Sequence, residues 1–209
     1  MGETPRRVYV DLDDVLSQTA KDLARLLEEE FGKTVRYDDI RDFDLGVSFG
    51  LDPETLERFM AAAHRPEIIG RIPPMEGAAE TLSAWKAAGL EVCVVTGRLP
   101  SAREASLDWL ERNEIPFSHL MIADKYRRYG PDSGAIPLEE IESMPFLFAV
   151  DDAPPMIEFL AERMPVPIIV FDRPWNQGSP STPPKGKKVI RCRSWKEIRP
   201  AAQSIIDQS

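Results

Sequence analysis

The sequence predicts an α/β protein in which helices cover both faces of a parallel sheet. Short apolar runs rich in β-branched residues alternate with longer segments of helical periodicity. This repeated strand–helix–strand order is typical of parallel sheets. A third observation concerns residues 18–75, which follow the first apolar run and contain helical patterns without a strand pattern. We therefore expect a helical insertion after the first strand.

Each element of the sheet layer has its own pattern. The predicted strands are 7–13, 90–97, 119–123, 146–152, 166–172 and 188–192. The predicted helices between and after them are 76–89, 101–113, 154–164 and 194–207. Ser194 and Glu197 stand three residues apart at the start of the last helix, which predicts a capping box.

The insertion contains two strong helix patterns. TAKDLARLLEEEFG ends at Gly32, and a second helix begins behind Asp52 with Pro53 at its first position. We expect one unit formed by residues 1–17 and 76–209, with residues 18–75 as a separate small helical unit.

Composition excludes several classes of protein. The chain has 209 residues, of which 43% are hydrophobic, and a formal net charge of −9. That charge argues against binding of long nucleic acid, although a local site can still bind a small anion. No apolar run reaches the roughly 20 residues that span a bilayer, so we expect no membrane segment and a cytoplasmic protein. Cys93 and Cys192 lie in apolar segments, which favours reduced, buried thiols.

Charged or hydroxyl-bearing residues follow the four strands expected near the centre of the sheet. These residues are Asp11 and Asp13, then Thr96 and Arg98 on either side of Gly97, then Lys125, and finally Asp151 and Asp152. A single aspartate after a strand is commonly a helix cap or a turn residue. Ligands of parallel α/β sheets bind beyond the carboxyl ends of the strands, so four matched ends favour a functional site.

The residue types at these ends indicate phosphoryl chemistry. Asp11 and Asp13 are two residues apart and share a side of an extended strand. Close carboxylates repel one another, and Mg²⁺ with its preference for oxygen ligands relieves that repulsion. A lysine and a threonine hydroxyl beside such an ion can hold a phosphate, and an aspartate can attack its phosphorus.

In this order, Asp11-Leu12-Asp13, Thr96, Lys125 and Asp151-Asp152 resemble the four motifs of the haloacid dehalogenase superfamily of phosphatases. The longer stretches VYVDLDDVL, VVTGR, AVDDAPPMIEFL and VFDRPWN resemble the 5′(3′)-deoxyribonucleotidase group and its bacterial relatives. The resemblance implies a Rossmann-like core and a C1-type cap formed by residues 18–75. It also implies a phosphomonoesterase that acts on a small phosphate ester, with nucleoside monophosphates as the first expectation.

The resemblance assigns roles to individual residues. Asp11 would be the nucleophile that forms an aspartyl-phosphate, and Asp13 would protonate the leaving oxygen and then deprotonate the attacking water. The phosphoryl oxygens would be held by Thr96, Gly97 and Lys125.

The implied cofactor is Mg²⁺. Its ligands would be Asp11, the backbone carbonyl of Asp13 and one of the acidic pair, with Asp152 favoured as the direct ligand over Asp151.

Substrate-binding residues are less clearly marked. Phe43 lies in the polar stretch DIRDFDLG and is the candidate for stacking on a base, while Phe31 and Phe59 fit helical core positions. Arg98 either reaches the phosphate or is a surface arginine beside a helix. His64 ends a cap helix, where a cation is favourable.

Other interpretations remain open. One is a phosphatase for another small phosphate ester, and another is a catalytically silent phosphate-binding protein. A signalling receiver also combines an acidic cluster, a threonine and a lysine around Mg²⁺, but the insertion and the Asp11-x-Asp13 spacing oppose it. Residues 173–188 form a Pro/Ser/Gly/Lys-rich loop that is either a plain solvated connection or a mobile flap.

Overall fold

The computed structural model describes residues 5–180 and 186–208, and these contain a six-stranded, wholly parallel sheet. The strand order is β3-β2-β1-β4-β5-β6. The strands are β1 (Arg7–Asp11), β2 (Glu91–Thr96), β3 (His119–Ile122), β4 (Phe146–Asp151), β5 (Ile168–Phe171) and β6 (Val189–Cys192). All six predicted strands and the predicted α/β class are confirmed.

The order of the strands creates one topological switch point. The chain moves outward from β1 through β2 to β3, and then returns to the other side of β1 with β4. Asp11 pairs with Val95, and Val10 pairs with Val150, so β2 and β4 flank the end of β1. Parallel sheets bind ligands in the crevice at such a point.

Helices cover both faces of the sheet. They are α1 (Thr19–Phe31), α2 (Leu45–Phe49), α3 (Pro53–Ala63), α4 (Pro66–Arg71), α5 (Ala78–Ala87), α6 (Arg103–Arg112), α7 (Leu138–Ser143), α8 (Pro154–Arg163) and α9 (Trp195–Ile206). One face packs against the buried tryptophans Trp85, Trp109 and Trp195. The opposite face packs against Ile157 and Leu160 of α8.

Residues 18–75, here called the helical segment, contain α1 to α4. Leu27, Phe49 and Phe59 are among the buried side chains of its own hydrophobic cluster. The predicted signals are confirmed: α1 ends at Gly32 with φ of 65°, and Asp52 caps α3 by accepting from Thr55 N at 2.9 Å. Because α2 and α4 have only five and six residues, they show no usable periodicity in the sequence.

Two chain crossings join the helical segment to the sheet. Gln18 N donates to Pro73 O at 2.8 Å, and Met75 N donates to Leu16 O at 2.7 Å. The segment that enters the helical segment and the segment that leaves it are therefore hydrogen-bonded side by side.

One predicted local contact is wrong. The Ser194 side chain makes no capping hydrogen bond, and Glu197 accepts instead from the backbone N–H of Arg193 at 2.7 Å. The glutamate therefore satisfies the N–H one residue before the one that a capping box would use.

Two further expectations have a structural outcome. Cys93 and Cys192 are buried free thiols, as predicted. Within the described ranges, no helix is both long and apolar enough to cross a bilayer. Residues 181–185 of the predicted flap or connection lie outside the described part of the chain.

Candidate active site

A buried ion-pair cluster lies at the end of β1. Lys125 Nζ donates to Asp11 Oδ1 at 2.7 Å and to Asp151 Oδ2 at 3.0 Å, and all three side chains are buried. The hydroxyl of Tyr9 donates to the same Asp151 oxygen at 2.7 Å. The predicted Asp11, Lys125 and Asp151 are thus brought together by the ends of three different strands or loops.

Burial dominates the electrostatics of this cluster. It raises the pKa of Asp11 to about 8; the charge of Lys125 opposes that shift, and Asp151 and Asp13 reinforce it. Burial also raises the pKa of Asp152 well above its usual range, and the charges of Asp14 and Asp11 add to this effect. The buried carboxylates at the end of β1 therefore resist being ionised all at once.

The carboxylates suit a hard cation. Asp11, Asp151 and Asp152 each place one oxygen within 4.8 Å of the others. Both Asp151 oxygens are already bonded, because Oδ2 accepts from Tyr9 and Lys125 and Oδ1 accepts from Ala153 N at 2.8 Å.

Among the described residues, no group donates to Asp11 Oδ2 or to Asp152 Oδ1, whereas Asp152 Oδ2 accepts from Trp175 Nε1 at 2.8 Å. The donor set therefore fits Mg²⁺ with Asp11 and Asp152 as the carboxylates that have an oxygen to offer.

The Asp13 carboxylate lies outside this group of three and is bound by an arginine. Arg98 Nη2 lies 2.7 Å from Asp13 Oδ1, and Arg98 Nε lies 3.1 and 3.2 Å from the two oxygens. Thr19 Oγ1 donates to Asp13 at 2.7 Å and Thr96 Oγ1 at 3.2 Å. Burial raises the pKa of Asp13, but the charge and hydrogen bonds of Arg98 outweigh it and hold that pKa below its usual value.

Arg98 is therefore not a surface residue. It is only 5% exposed, and its Nη1 donates to Ser106 Oγ of α6 at 3.1 Å. Of the two interpretations of the sequence, the surface one is wrong, and the guanidinium is engaged by a carboxylate of the site.

Gly97 allows close packing beneath the site. A Cβ at this position would lie 2.7 Å from Tyr126 Cε2 and 3.4 Å from Lys125 Cδ. The backbone oxygen of Gly97 accepts from Arg128 Nη2 at 3.2 Å. The absence of a side chain thus lets Tyr126 and Lys125 approach the end of β2.

Asp14 links the site to the helical segment. It has a left-handed φ of 57°, and its carboxylate accepts from Ala20 N at 3.0 and 3.1 Å in the first turn of α1. Arg173 donates to its backbone oxygen at 2.9 Å. Burial raises the pKa of Asp14 to about 7. Aspartate tolerates this backbone region better than most residues, which explains why Gly is not required here.

A cavity of about 470 Å³ lies between the carboxylates and the helical segment. Asp11, Asp13 and Asp152 line its acidic end. The opposite wall is mostly aliphatic and includes Leu23, Ile40, Leu45, Leu56, Met60, Ala63, Ile69 and Ile72. The predicted Phe43 lines this cavity and packs against Tyr126 with ring centroids 5.8 Å apart. Phe59 is buried in the cluster of the helical segment and Phe31 packs against it, as predicted.

Cavity-lining residues that were not predicted as site residues include His64, Tyr126 and Arg128. Tyr126 is the residue after Lys125 and Arg128 lies two residues further along KYRRYG, so their proximity to Lys125 in the sequence was an available signal. His64 was expected to be a helix-end cation, but burial lowers its pKa and favours the neutral ring.

Comparisons with known proteins identify a family for this chain. The family described as 5′ nucleotidase, deoxy (pyrimidine), cytosolic type C protein matches residues 6–133. A protein of Halalkalibacterium halodurans with the provisional name of nucleotidase is 26% identical over 194 residues, which are 93% of this chain and 91% of the relative.

Solved structures share the fold. Protein Tyrosine Kinase A of Mycobacterium tuberculosis has a TM-score of 0.67 at 18% identity, and the match covers 96% of this chain and 99% of that one. A haloacid dehalogenase family hydrolase of Deinococcus radiodurans R1, solved with bound phosphate and sodium, has a TM-score of 0.60 at 19% identity and covers 96% of each chain. The family match spans more than half of the chain and includes Asp11, Asp13, Thr96 and Lys125. The chain therefore belongs to the 5′ nucleotidase, deoxy (pyrimidine), cytosolic type C family and is a phosphoric monoester hydrolase with the fold of a haloacid dehalogenase family hydrolase.

Proposed function

We propose that this chain is a Mg²⁺-dependent phosphomonoesterase that forms an aspartyl-phosphate on Asp11 and hydrolyses nucleoside monophosphates, with deoxyribonucleotides preferred. The observation that carries the proposal is the state of the Asp11 carboxylate. Asp11 lines the cavity. Lys125 donates to one of its oxygens at 2.7 Å, and no described residue donates to the other. An oriented carboxylate with a free oxygen is the geometry that a nucleophile needs.

The first chemical step transfers the phosphoryl group to the protein. An oxygen of Asp11 forms a bond to phosphorus while the bond from phosphorus to the leaving oxygen breaks. Asp13 donates a proton to that oxygen, and the alcohol leaves. Arg98 favours the ionised form of Asp13 in the free protein. Asp13 therefore takes this proton from solvent when the negatively charged phosphate enters the site, and it returns a proton to solvent when phosphate leaves.

The second step releases phosphate. Asp13, now ionised, takes a proton from a water molecule whose oxygen forms a bond to phosphorus, and the bond between phosphorus and Asp11 breaks. Thr96, Gly97 and Lys125 are proposed to hold the phosphoryl oxygens through both steps. Burial lowers the pKa of Lys125, but the charges of Asp11 and Asp151 outweigh it and hold that pKa well above the usual value. Lys125 therefore stays charged, which suits it to this role.

The proposed ligands of Mg²⁺ are Asp11, Asp152 and the backbone carbonyl of Asp13. Asp152 offers Oδ1, to which no described residue donates, and Asp11 offers the remaining lone pair of Oδ1 beside Lys125, which leaves Asp11 Oδ2 to attack phosphorus. Asp151 is proposed to orient Lys125 rather than to bind the ion directly. When bound, the ion neutralises the carboxylates and the incoming phosphate.

We also propose that residues 18–75 form a cap over a core made of residues 1–17 and 76–209. The helical segment has its own buried cluster, enters and leaves beside Gln18 and Pro73, and provides the aliphatic wall of the cavity. Closure of such a cap excludes water from the reacting phosphate. Phe43 is proposed to stack on the base, because its ring lies at the cavity beside Tyr126.

The experiment measures phosphate release from deoxyribo- and ribonucleoside monophosphates, sugar phosphates and an aryl phosphate, with Mg²⁺ and with EDTA. We expect Mg²⁺-dependent release concentrated in the nucleotides. Asp11→Asn should abolish turnover and leave no phosphate on the protein after acid quenching. Its matched control is Asp132→Asn, because Asp132 is an exposed carboxylate away from the cavity.

Different outcomes separate the parts of the proposal. Release from the aryl or sugar phosphates alone would retain the mechanism and reject the nucleotide substrate. Retained turnover in Asp11→Asn would reject the aspartyl-phosphate. No release from any substrate by the unaltered protein would favour a silent phosphate-binding role.

A further inference from the structure

The ring of His64 has a defined hydrogen position. Its Nδ1 lies 2.7 Å from the backbone oxygen of Met60, four residues earlier at the end of α3. A carbonyl oxygen can only accept, so Nδ1 must carry the hydrogen. In the neutral ring, Nε2 then has a lone pair and acts as an acceptor.

The surroundings of His64 favour that neutral ring. Burial lowers its pKa; the Met60 carbonyl and the charge of Asp13 act in the opposite direction, and Arg98 and Arg128 add to the lowering. The charged groups that face His64 thus include two arginines and one carboxylate. The hydrogen on Nδ1 follows from geometry alone, and the charge state agrees with it.

The acceptor lies on the aliphatic wall of the cavity. Leu56, Met60, Ala63 and Ile69 line the cavity together with His64. Within the described part of the chain, no group donates to His64 Nε2. A half-buried acceptor without a partner in the protein is open to a donor on a ligand or to a water molecule.

The other polar side chains that the helical segment contributes to this cavity are already engaged. Thr19 donates its hydroxyl to Asp13 at 2.7 Å. Asp42 Oδ1 accepts from Asp44 N at 2.9 Å, and Asp44 accepts from the first N–H groups of α2. Asp42 and Asp44 are also solvent-exposed, whereas His64 is half-buried, so His64 Nε2 is the acceptor of this set that lies in the less exposed environment.

We propose that His64 determines substrate specificity by accepting, through Nε2, a hydrogen bond from an N–H or O–H donor on the leaving group. This inference rests on the proposed nucleotidase function. The nucleoside of thymidine 5′-monophosphate has two such donors: the N3–H of the base and the free 3′-hydroxyl of the sugar. A site built around an acceptor discriminates strongly against analogues that lack the donor.

The test compares three probes in the 209-residue chain with Mg²⁺. They are thymidine 5′-monophosphate, its N3-methyl analogue without the base donor, and its 3′-deoxy analogue without the sugar donor. We expect kcat/KM of the unaltered protein to fall about 10-fold or more for one analogue, which identifies the donor. His64→Phe should reduce that ratio towards one, and His64→Gln should restore part of it through the amide oxygen.

A merely structural role would lower kcat/KM for all three probes together and leave the ratios unchanged. The matched control is His119→Gln, which alters the half-exposed histidine on β3, away from the cavity. Equal kcat/KM for the three probes in the unaltered protein would overturn the inference without any variant, as would an unchanged ratio in His64→Phe. If no nucleotide is hydrolysed at all, the proposed nucleotide substrate fails and this inference fails with it.

Discussion

The guanidinium of Arg98 binds both carboxylate oxygens of Asp13, with its Nη2 2.7 Å from Oδ1 and its Nε within 3.2 Å of each oxygen. Arg98 is itself held by Ser106 on α6. The side chain proposed to exchange protons with the leaving group therefore starts in a fixed orientation. A planar arginine fork sets this orientation in a way that a lysine ammonium does not reproduce.

Arg98→Lys tests that orientation. The positive charge remains, but the two-point contact is lost, so Asp13 should be misplaced as a proton donor. We expect kcat for a nucleoside monophosphate to fall about 10- to 100-fold. The loss should be smaller for 4-nitrophenyl phosphate, because nitrophenolate leaves without needing a proton.

Steady-state kinetics on both substrates provide the measurement. The matched control is Arg103→Lys, which alters an exposed arginine at the start of α6 and should leave kcat for both substrates unchanged. Equal losses on both substrates would show that Arg98 does not act through Asp13.

The contrast between predicted and unpredicted features of this site follows from sequence distance. Asp11 and Thr96 could be identified as site residues because each follows an apolar run, and parallel strands bring such ends together. The pairing of Arg98 with Asp13 joins residues 85 positions apart, and no local pattern encodes it. The wrong capping box at Ser194 shows the complementary limit: residue spacing was correct, but the backbone directed Glu197 to a neighbouring N–H.

Gly97→Ala tests the close packing beneath the proposed phosphate site. The new methyl group would lie 2.7 Å from Tyr126 Cε2 and 3.4 Å from Lys125 Cδ, so one of these side chains must move. We expect kcat/KM to fall about 10-fold or more, since displacement of a positioned group by about 1 Å has costs of this size.

Gly130→Ala is the matched control, because a Cβ there meets nothing within 4 Å and its φ of −80° suits alanine. It should retain normal kcat/KM. Similar activities of the two variants would show that Lys125 needs no precise position.

Tyr9→Phe tests the hydrogen bond that orients Asp151. The Tyr9 hydroxyl is buried and donates to Asp151 Oδ2 at 2.7 Å, and burial raises its pKa well above the usual value, so it stays protonated. Phenylalanine keeps the packing but removes the donor. We expect the free energy of unfolding in urea to fall by about 1–3 kcal/mol.

Tyr37→Phe is the control for this measurement. No described residue forms a hydrogen bond with the Tyr37 hydroxyl, although its ring packs against Trp175. Its free energy of unfolding should change by less than about 0.5 kcal/mol. Equal values for the two variants would mean that Asp151 does not depend on Tyr9.

Asp152→Asn separates the electrostatic cost of the acidic cluster from its use in binding Mg²⁺. The amide oxygen can still accept from Trp175 Nε1, so the local hydrogen bond is kept. Burial, with the charges of Asp14 and Asp11, raises the pKa of Asp152 well above its usual value. Keeping this carboxyl in the metal-free fold is therefore unfavourable at neutral pH. The free energy of unfolding is highest below the ordinary pKa of an aspartate and decreases as the pH rises through the raised pKa. In EDTA at pH 7, the variant should unfold at a higher temperature than the unaltered protein.

Mg²⁺ should reverse this order. A ligand at 100 times its Kd stabilises the folded state by about 2.7 kcal/mol, which corresponds to about 5–10 °C in Tm for a chain of this size. The unaltered protein and the surface control Asp132→Asn should show this shift, whereas Asp152→Asn should not. Calorimetry with and without Mg²⁺ measures it, and a full shift in Asp152→Asn would exclude Asp152 as a ligand. A variant that is more stable without Mg²⁺ and unresponsive to it would show that the buried charge is maintained for the ion rather than for the fold.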